Sequence, residues 1–342
     1  MTAFSAARFF KAPRRNNMTL WSCCFLSVFL CLIFAASCAS NAATAEEYYS
    51  IGMAYYELGK FQEAERWLTR ASSMDKTMTA SEYNLGRIAF ASGRYEDAAK
   101  HFEKMLARDP DNVMALKGAA YSRIKNGDMS RARAYYGKVL ELVPESADDG
   151  YNYALVLYAL GDYAESEETL TRYGYALEEK SDAALLLARA QKAQNKPEAA
   201  DSYEKWLVLS PPSNPQALYE YAGVLESLEL FAKAIEQYRA ARDALAQDTE
   251  TLTKAALAFD VARLLFTADP ENPDGLKELD MAVAAGFKDT DLLGTLLEDS
   301  QITNDNKTGI QEIIDTILNP PAPEAETALE SNPQAGSDAQ QE

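Results

Sequence analysis

Four glycines, Gly59, Gly93, Gly127 and Gly161, stand 34 residues apart. The same neighbours return around each of them. Two residues on come Phe61, Tyr95, Met129 and Tyr163, and five residues on come Ala64, Ala98, Ala132 and Ser166. Pro110, Pro144 and Pro212 fall on the same grid with one place skipped, and the register continues without insertion to Phe231, Ala234 and Tyr238. A period of this length means that one supersecondary unit is copied along the chain. Such a unit cannot bury its apolar face alone, so the copies must stack into a continuous core. Alanine, leucine, tyrosine and glutamate dominate and alternating Val/Ile runs are missing, which makes each unit helical rather than stranded.

The repeated residues resemble the tetratricopeptide repeat pattern W-x2-L-G-x2-Y, then A-x3-F, then P. The first copy reads Tyr48-x2-Ile51-Gly52-x2-Tyr55, Ala64-x3-Leu68 and Ala71. The second has Leu85-Gly86, Ala98-x3-Phe102 and Pro110, and the third Ala132-x3-Tyr136 and Pro144. The fifth departs, with Asn195 in the glycine place and Pro197 where an aromatic belongs. The resemblance implies an all-α, right-handed superhelical solenoid of helix-turn-helix repeats, six of them over residues 45–248. In such a repeat the glycine ends the first helix through a left-handed turn that side chains resist. Small residues at the eighth place (Gly52, Gly86, Ala120, Ala154, Ala188, Ala222) let the neighbouring helix approach, and large residues at places 7, 11 and 24 fill the layers. Beyond residue 248 the register blurs. Helices over Leu252 to Phe266 and Leu276 to Ala285, the latter ended by Gly286, read as a degenerate seventh repeat. Helices over Asp291 to Leu297 and Gly309 to Leu318 complete a C-terminal cap within 249–318. Residues 319–342, acidic and proline-rich, read as a disordered tail.

The N-terminus reads as an export signal rather than as part of the fold. Arg8, Lys11, Arg14 and Arg15 precede an apolar stretch from Leu20 to Ala36, and small residues follow. Ala35-Ala36-Ser37-Cys38 resembles a bacterial lipoprotein box, with alanine where leucine is usual; that implies a signal over 1–37, lipid on the Cys38 sulfur and a short linker over 38–44. Two other outcomes stay open: cleavage at Ala43-Thr44-Ala45, which releases a soluble protein, or retention of the stretch as a single N-terminal anchor. All three place the chain in a cell envelope or periplasm, and two attach it to a membrane. All four cysteines lie at or before Cys38, so the body has no thiolate chemistry.

Formal net charge is −19, which excludes long-range attraction to nucleic acid. One histidine, His101, is the only imidazole; its place beside Phe102 in a second helix predicts a surface residue. No glycine-rich phosphate motif, metal-ligand spacing or nucleophile turn is present, so no enzyme, cofactor or metal is expected. In the family that this chain resembles, the first helices line a concave face. Carried over place by place, that face holds Tyr49, Tyr83, Lys117, Tyr151 and Tyr219 at the fifth position, Arg87, Tyr121 and Arg189 at the ninth, and Tyr56, Phe90 and Tyr158 at the twelfth. Tyrosine offers apolar area and a hydroxyl at small entropic cost, so the expected partners are proteins or peptides held by a scaffold. A ligand-binding component of a periplasmic transport system is the alternative. Lys117 and Asn152 fit part of the carboxylate clamp known in some members, but Tyr121, Asp182 and Leu186 stand where its other polar residues belong.

Overall fold

A computed structural model describes residues 44–210 and 214–319. The signal segment with Cys38, the grid proline Pro212 and residues 320–342 lie outside the described residues. Two compact units divide the chain between Leu142 and Val143. Among the described residues there are sixteen helices and no strand.

Unit 1 holds three helical hairpins. Its helices are α1 (Ala45–Glu57), α2 (Phe61–Met74), α3 (Thr79–Ala91), α4 (Tyr95–Leu106), α5 (Val113–Lys125) and α6 (Met129–Leu142). Unit 2 continues with α7 (Ala147–Leu160), α8 (Tyr163–Arg172), α9 (Ser181–Ala193), α10 (Ala199–Leu209), α11 (Pro215–Ser227) and α12 (Phe231–Ala244), then α13 (Lys254–Ala268), α14 (Asp274–Ala284), α15 (Thr290–Glu298) and α16 (Asn304–Leu318). The first helices of the first six hairpins begin at residues 45, 79, 113, 147, 181 and 215, keeping the 34-residue step throughout.

Each of those first helices is closed in one way. Residues 59, 93, 127, 161, 195 and 229 all take positive φ, between 55° and 84°. In the first repeat the Gly59 N–H donates to the Tyr56 carbonyl and the Lys60 N–H to that of Tyr55, the Schellman arrangement that satisfies the last carbonyls of a helix. The same pair of bonds recurs at Asn195 and at Glu229, which reach φ 55° and 59° without being glycine. The eighth-place residues are all buried, and a Cβ built on Gly52 would stand 2.7 Å from Leu68 Cγ. Phe102 is gripped from two sides: Cβ atoms on Gly86 and Gly118 would come within 2.8 and 2.7 Å of its ring.

The fifth repeat keeps the 34-residue step but shifts the buried stripe of its second helix by one residue. The grid places Ala200 and Glu204 in the layer, but Ala199 and Tyr203 are the fully buried residues, with Trp206 beside them. In other repeats the second helix opens with an i→i−4 bond, as from the Ala98 N–H to the Arg94 carbonyl. Here Ala199 and Ala200 donate to the carbonyls of Lys196 and Pro197, three residues back. A turn with three residues per revolution instead of 3.6 advances the helix phase, so the buried stripe arrives one residue early. The C-terminal helices also start elsewhere than the periodicity suggests. Helix α13 begins at Lys254 behind a Thr253 cap, and α16 begins at Asn304 rather than Gly309, because the Thr303 side chain accepts from the Asn306 N–H.

A left-handed glutamate is strained where a glycine is not. Glu229→Gly is therefore expected to raise the stability of the full chain by about 1 kcal/mol, and Gly93→Ala to lower it by about as much. Urea denaturation followed by circular dichroism checks both signs.

Candidate functional site

On an α-helix, residues four and three apart share a face, so the fifth, ninth and twelfth places of each first helix lie together. In unit 1 this brings Tyr49, Tyr56, Tyr83, Arg87 and Phe90 onto one surface with Lys117 and Tyr121. An open groove of about 390 Å³ is lined there by Tyr49, Met53, Tyr83, Asn84, Arg87 and Met114, among others. Asn84 is its hub. Its amide nitrogen donates to the Tyr49 hydroxyl (3.2 Å) and to the Ala80 carbonyl (2.9 Å), and its oxygen accepts from Arg87 Nη1 (3.3 Å). The Arg87 guanidinium lies over two rings, 5.0 Å from the centroid of Tyr56 and 5.7 Å from that of Tyr83. Further along, Phe90 and Tyr121 stack at 4.9 Å, and Lys125 Nζ stands 5.6 Å from the centre of the Tyr121 ring. Tyr121 is 45% exposed, so the stack reaches solvent. Lys117 is half-buried.

The equivalent face of unit 2 has a different character. Tyr151, Tyr158 and Tyr219 are half-buried, and burial raises the pKa of each hydroxyl, so all three remain protonated donors at neutral pH. Arg189 is paired: its Nε donates to Glu220 Oε2 at 2.8 Å, and the same oxygen accepts from the buried Tyr203 hydroxyl at 3.2 Å. Burial disfavours the Arg189 charge, but Glu220 outweighs it and the pKa moves up. Beyond it, Arg263 grips both oxygens of Glu226 at 2.7 and 3.0 Å. Reading the sequence overlooked Asn84, Glu220 and Tyr203. Asn84 and Glu220 both occupy the sixth place of a first helix, where a polar residue in a packed position is the available signal.

His101 is not the surface residue that its place suggested. It is half-buried, with ring Nδ1 2.9 Å from Oε2 of Glu82, a carboxylate whose side chain is only 1% exposed. Ser72 and Lys104 also donate to Glu82. Burial alone would raise the Glu82 pKa; hydrogen bonds from His101, Lys104 and Ser72 overcome it and bring the carboxyl down to about 2. The group joins a serine, a histidine and a carboxylate, but not as a nucleophilic relay. Serine and histidine both address the carboxylate, whereas a relay needs the serine hydrogen on the imidazole. Its work is structural, tying α2 to α3 and α4. Among the described residues, no three histidine, cysteine or acidic groups gather to hold a metal, and no helix is long and apolar enough to cross a membrane.

A tetratricopeptide repeat model matches residues 49–113, 83–147, 117–184, 151–214 and 185–249, overlapping windows that together span more than half of the chain. The chain belongs to the tetratricopeptide repeat family and is an all-α solenoid, the type of scaffold through which proteins bind other proteins or peptides. An uncharacterized lipoprotein of Treponema pallidum (strain Nichols) is 23% identical over 155 residues, 45% of this chain and 79% of that one. Human tetratricopeptide repeat protein 13 is 27% identical over 179 residues, 48% of this chain but only 20% of the human protein. Among solved structures, a tetratricopeptide repeat protein from Parabacteroides merdae is similar with a TM-score of 0.50 and 18% identity, over 80% of this chain and 99% of that one. At that identity the likeness speaks for the fold alone.

The Glu82 cluster sets a pH dependence with a definite sign. The folded pKa is depressed from 4.5 to about 2, so its stabilisation is present above pH 4.5 and is lost as pH falls toward 2. Glu82→Gln is expected to lower stability at pH 7 by roughly 2–3 kcal/mol. The gap between variant and wild type should close as pH falls through that window, which urea titrations at pH 7, 4 and 3 would measure.

Proposed function

We propose that this protein is a non-enzymatic adaptor of a bacterial cell envelope, held to a membrane by lipid on Cys38, that gathers segments of partner proteins on its first-helix faces. Tyr49, Tyr56, Tyr83, Arg87, Phe90, Lys117 and Tyr121 form the receiving surface of unit 1, and Tyr151, Tyr158, Arg189 and Tyr219 that of unit 2. The observation that carries this reading is the open groove of unit 1, whose walls are aromatic and whose floor is hydrogen-bonded through Asn84. Rigid rings beside a preorganised polar hub suit an extended peptide, because little side-chain freedom is lost on contact. An open trough suits a polymer segment better than the small solute of a transport system, which needs enclosure. Lipidation is supported by the small residues before Cys38 and by a relative described as a lipoprotein. In this reading residues 1–37 are removed, 38–44 tether the array, 45–248 are six repeats, 249–318 are a worn seventh repeat with its cap, and 319–342 are an acidic tail. The net charge of −19 directs the faces away from nucleic acid.

Two experiments test the two halves separately. Pull-down from solubilised membranes should recover partners that are lost when Tyr83, Tyr151 and Tyr158 are changed to alanine; unchanged recovery would remove the faces as the binding surface. Cys38→Ala should abolish labelling by a radioactive fatty acid and release the protein from the membrane fraction. Retention of both in that variant would exclude lipid at this sulfur.

A further inference from the structure

Within the chain as described, two arginines share the ninth place of a first helix, and their circumstances are opposite. Arg189 has a carboxylate, Glu220. Arg87 has none among the described residues: its polar contact is a neutral amide, Asn84 Oδ1, and its other neighbours are the faces of Tyr56 and Tyr83. This is unusual company in a chain with 52 acidic and 33 basic residues. The 34-residue register gives the reason. Glu220 lies 31 residues beyond Arg189, and the residue 31 beyond Arg87 is Gly118, which the Phe102 ring leaves no room to enlarge.

We propose that the unit 1 groove selects an acidic side chain on an extended segment of a partner protein, with the Arg87 guanidinium as its receptor. The inference rests on the groove being a peptide site, and adds the chemistry of what it takes. The contact with the two rings engages the charge of the guanidinium and consumes none of its N–H donors. One of them, on Nη1, is spent on Asn84; the others remain for a carboxylate, which a guanidinium fork matches in two parallel bonds. The rings and Asn84 hold that fork still before anything binds, so less freedom is lost on contact. An acidic segment approaching a body of net charge −19 is repelled at long range. Its capture therefore needs a local cation whose charge is not already neutralised, and Arg87 is one. Lys125, placed over Tyr121 on the same face, adds a second positive charge for a segment with more than one acid.

The test is an array of synthetic peptides of about ten residues, ~33 Å when extended, probed with the full detergent-solubilised chain. Each acidic peptide is paired with its Asn/Gln counterpart, and overlapping peptides from residues 320–342 are included. Bound peptides should carry Asp or Glu at a fixed place and bind about 10- to 100-fold better than their amide counterparts, a ratio that shrinks with added salt. Arg87→Gln should erase that ratio while leaving Tyr83-dependent binding in place, and Arg66→Gln, which removes one exposed charge from α2, should preserve it. Circular dichroism verifies that each variant is folded. Peptides that depend on Tyr83 but show no acid preference, or a preference that survives Arg87→Gln, would overturn the proposal and leave the groove standing. Absence of any Tyr83-dependent peptide would remove the groove and the proposal together. Tightest binding to the 320–342 peptides would overturn a partner protein as the occupant in favour of this chain's own acidic residues.

Discussion

The rest of each repeat depends on one backbone event, the left-handed residue that stops the first helix and sends the chain back along it. With that residue in place, two N–H groups satisfy carbonyls that would otherwise be orphaned, and the second helix leaves at a set angle. Only then does the eighth-place residue come under the layer of the second helix, where Gly52 meets Leu68 and Gly86 meets Phe102 at distances that admit no side chain. The event is important enough to be kept where glycine is absent. Asn195 tolerates the conformation through its short polar side chain, and Glu229 adopts it with no such help.

Stacking one hairpin on the next uses a second device, a buried or half-buried carboxylate with several donors, at least one of them from a neighbouring hairpin. In unit 1, Glu82 serves Ser72, His101 and Lys104, and Glu103 serves Arg123 and Tyr135. In unit 2, Glu167 serves Gln191, Gln194 and Lys196, and Glu278 serves Arg239 and Arg242. Arg123 is 3% exposed, at an eleventh-place position where other repeats carry Leu157 or Leu225. Replacing such networks by apolar groups can be neutral in stability, but breaking one leaves an uncompensated charge. Alanine-rich layers pack with similar neighbours at many registers, whereas a forked ion pair closes at one.

These clasps connect the core to the candidate site. Two further acids of unit 2 neutralise its face: Glu220 takes Arg189 and Glu226 takes Arg263. Unit 1 spends its acids on other junctions, and the guanidinium of Arg87 is left on two tyrosine rings. The functional contrast between two similar faces thus comes from where the structural carboxylates happen to stand.

Much of this was legible in the residues. The period, the helix starts at 34-residue steps, the glycine closures and the small eighth-place residues are local properties, set by backbone sterics and by helical spacing, and they repeat because the sequence repeats. The first-helix face was legible for the same reason, since places five, nine and twelve are neighbours on any helix. What only the tertiary structure decided are one local change of helix phase and the matters that turn on what a neighbouring element supplies. Tyr203 rather than the grid residue enters the fifth layer because a tight first turn at Pro197 changes the helix phase. His101 is drawn inward by Glu82, nineteen residues away and on another helix. Arg87 and Arg189 are indistinguishable by place and type, and one is available to a ligand while the other is not, because the following hairpin brings Glu220 to Arg189 and has only Gly118 at the matching place for Arg87.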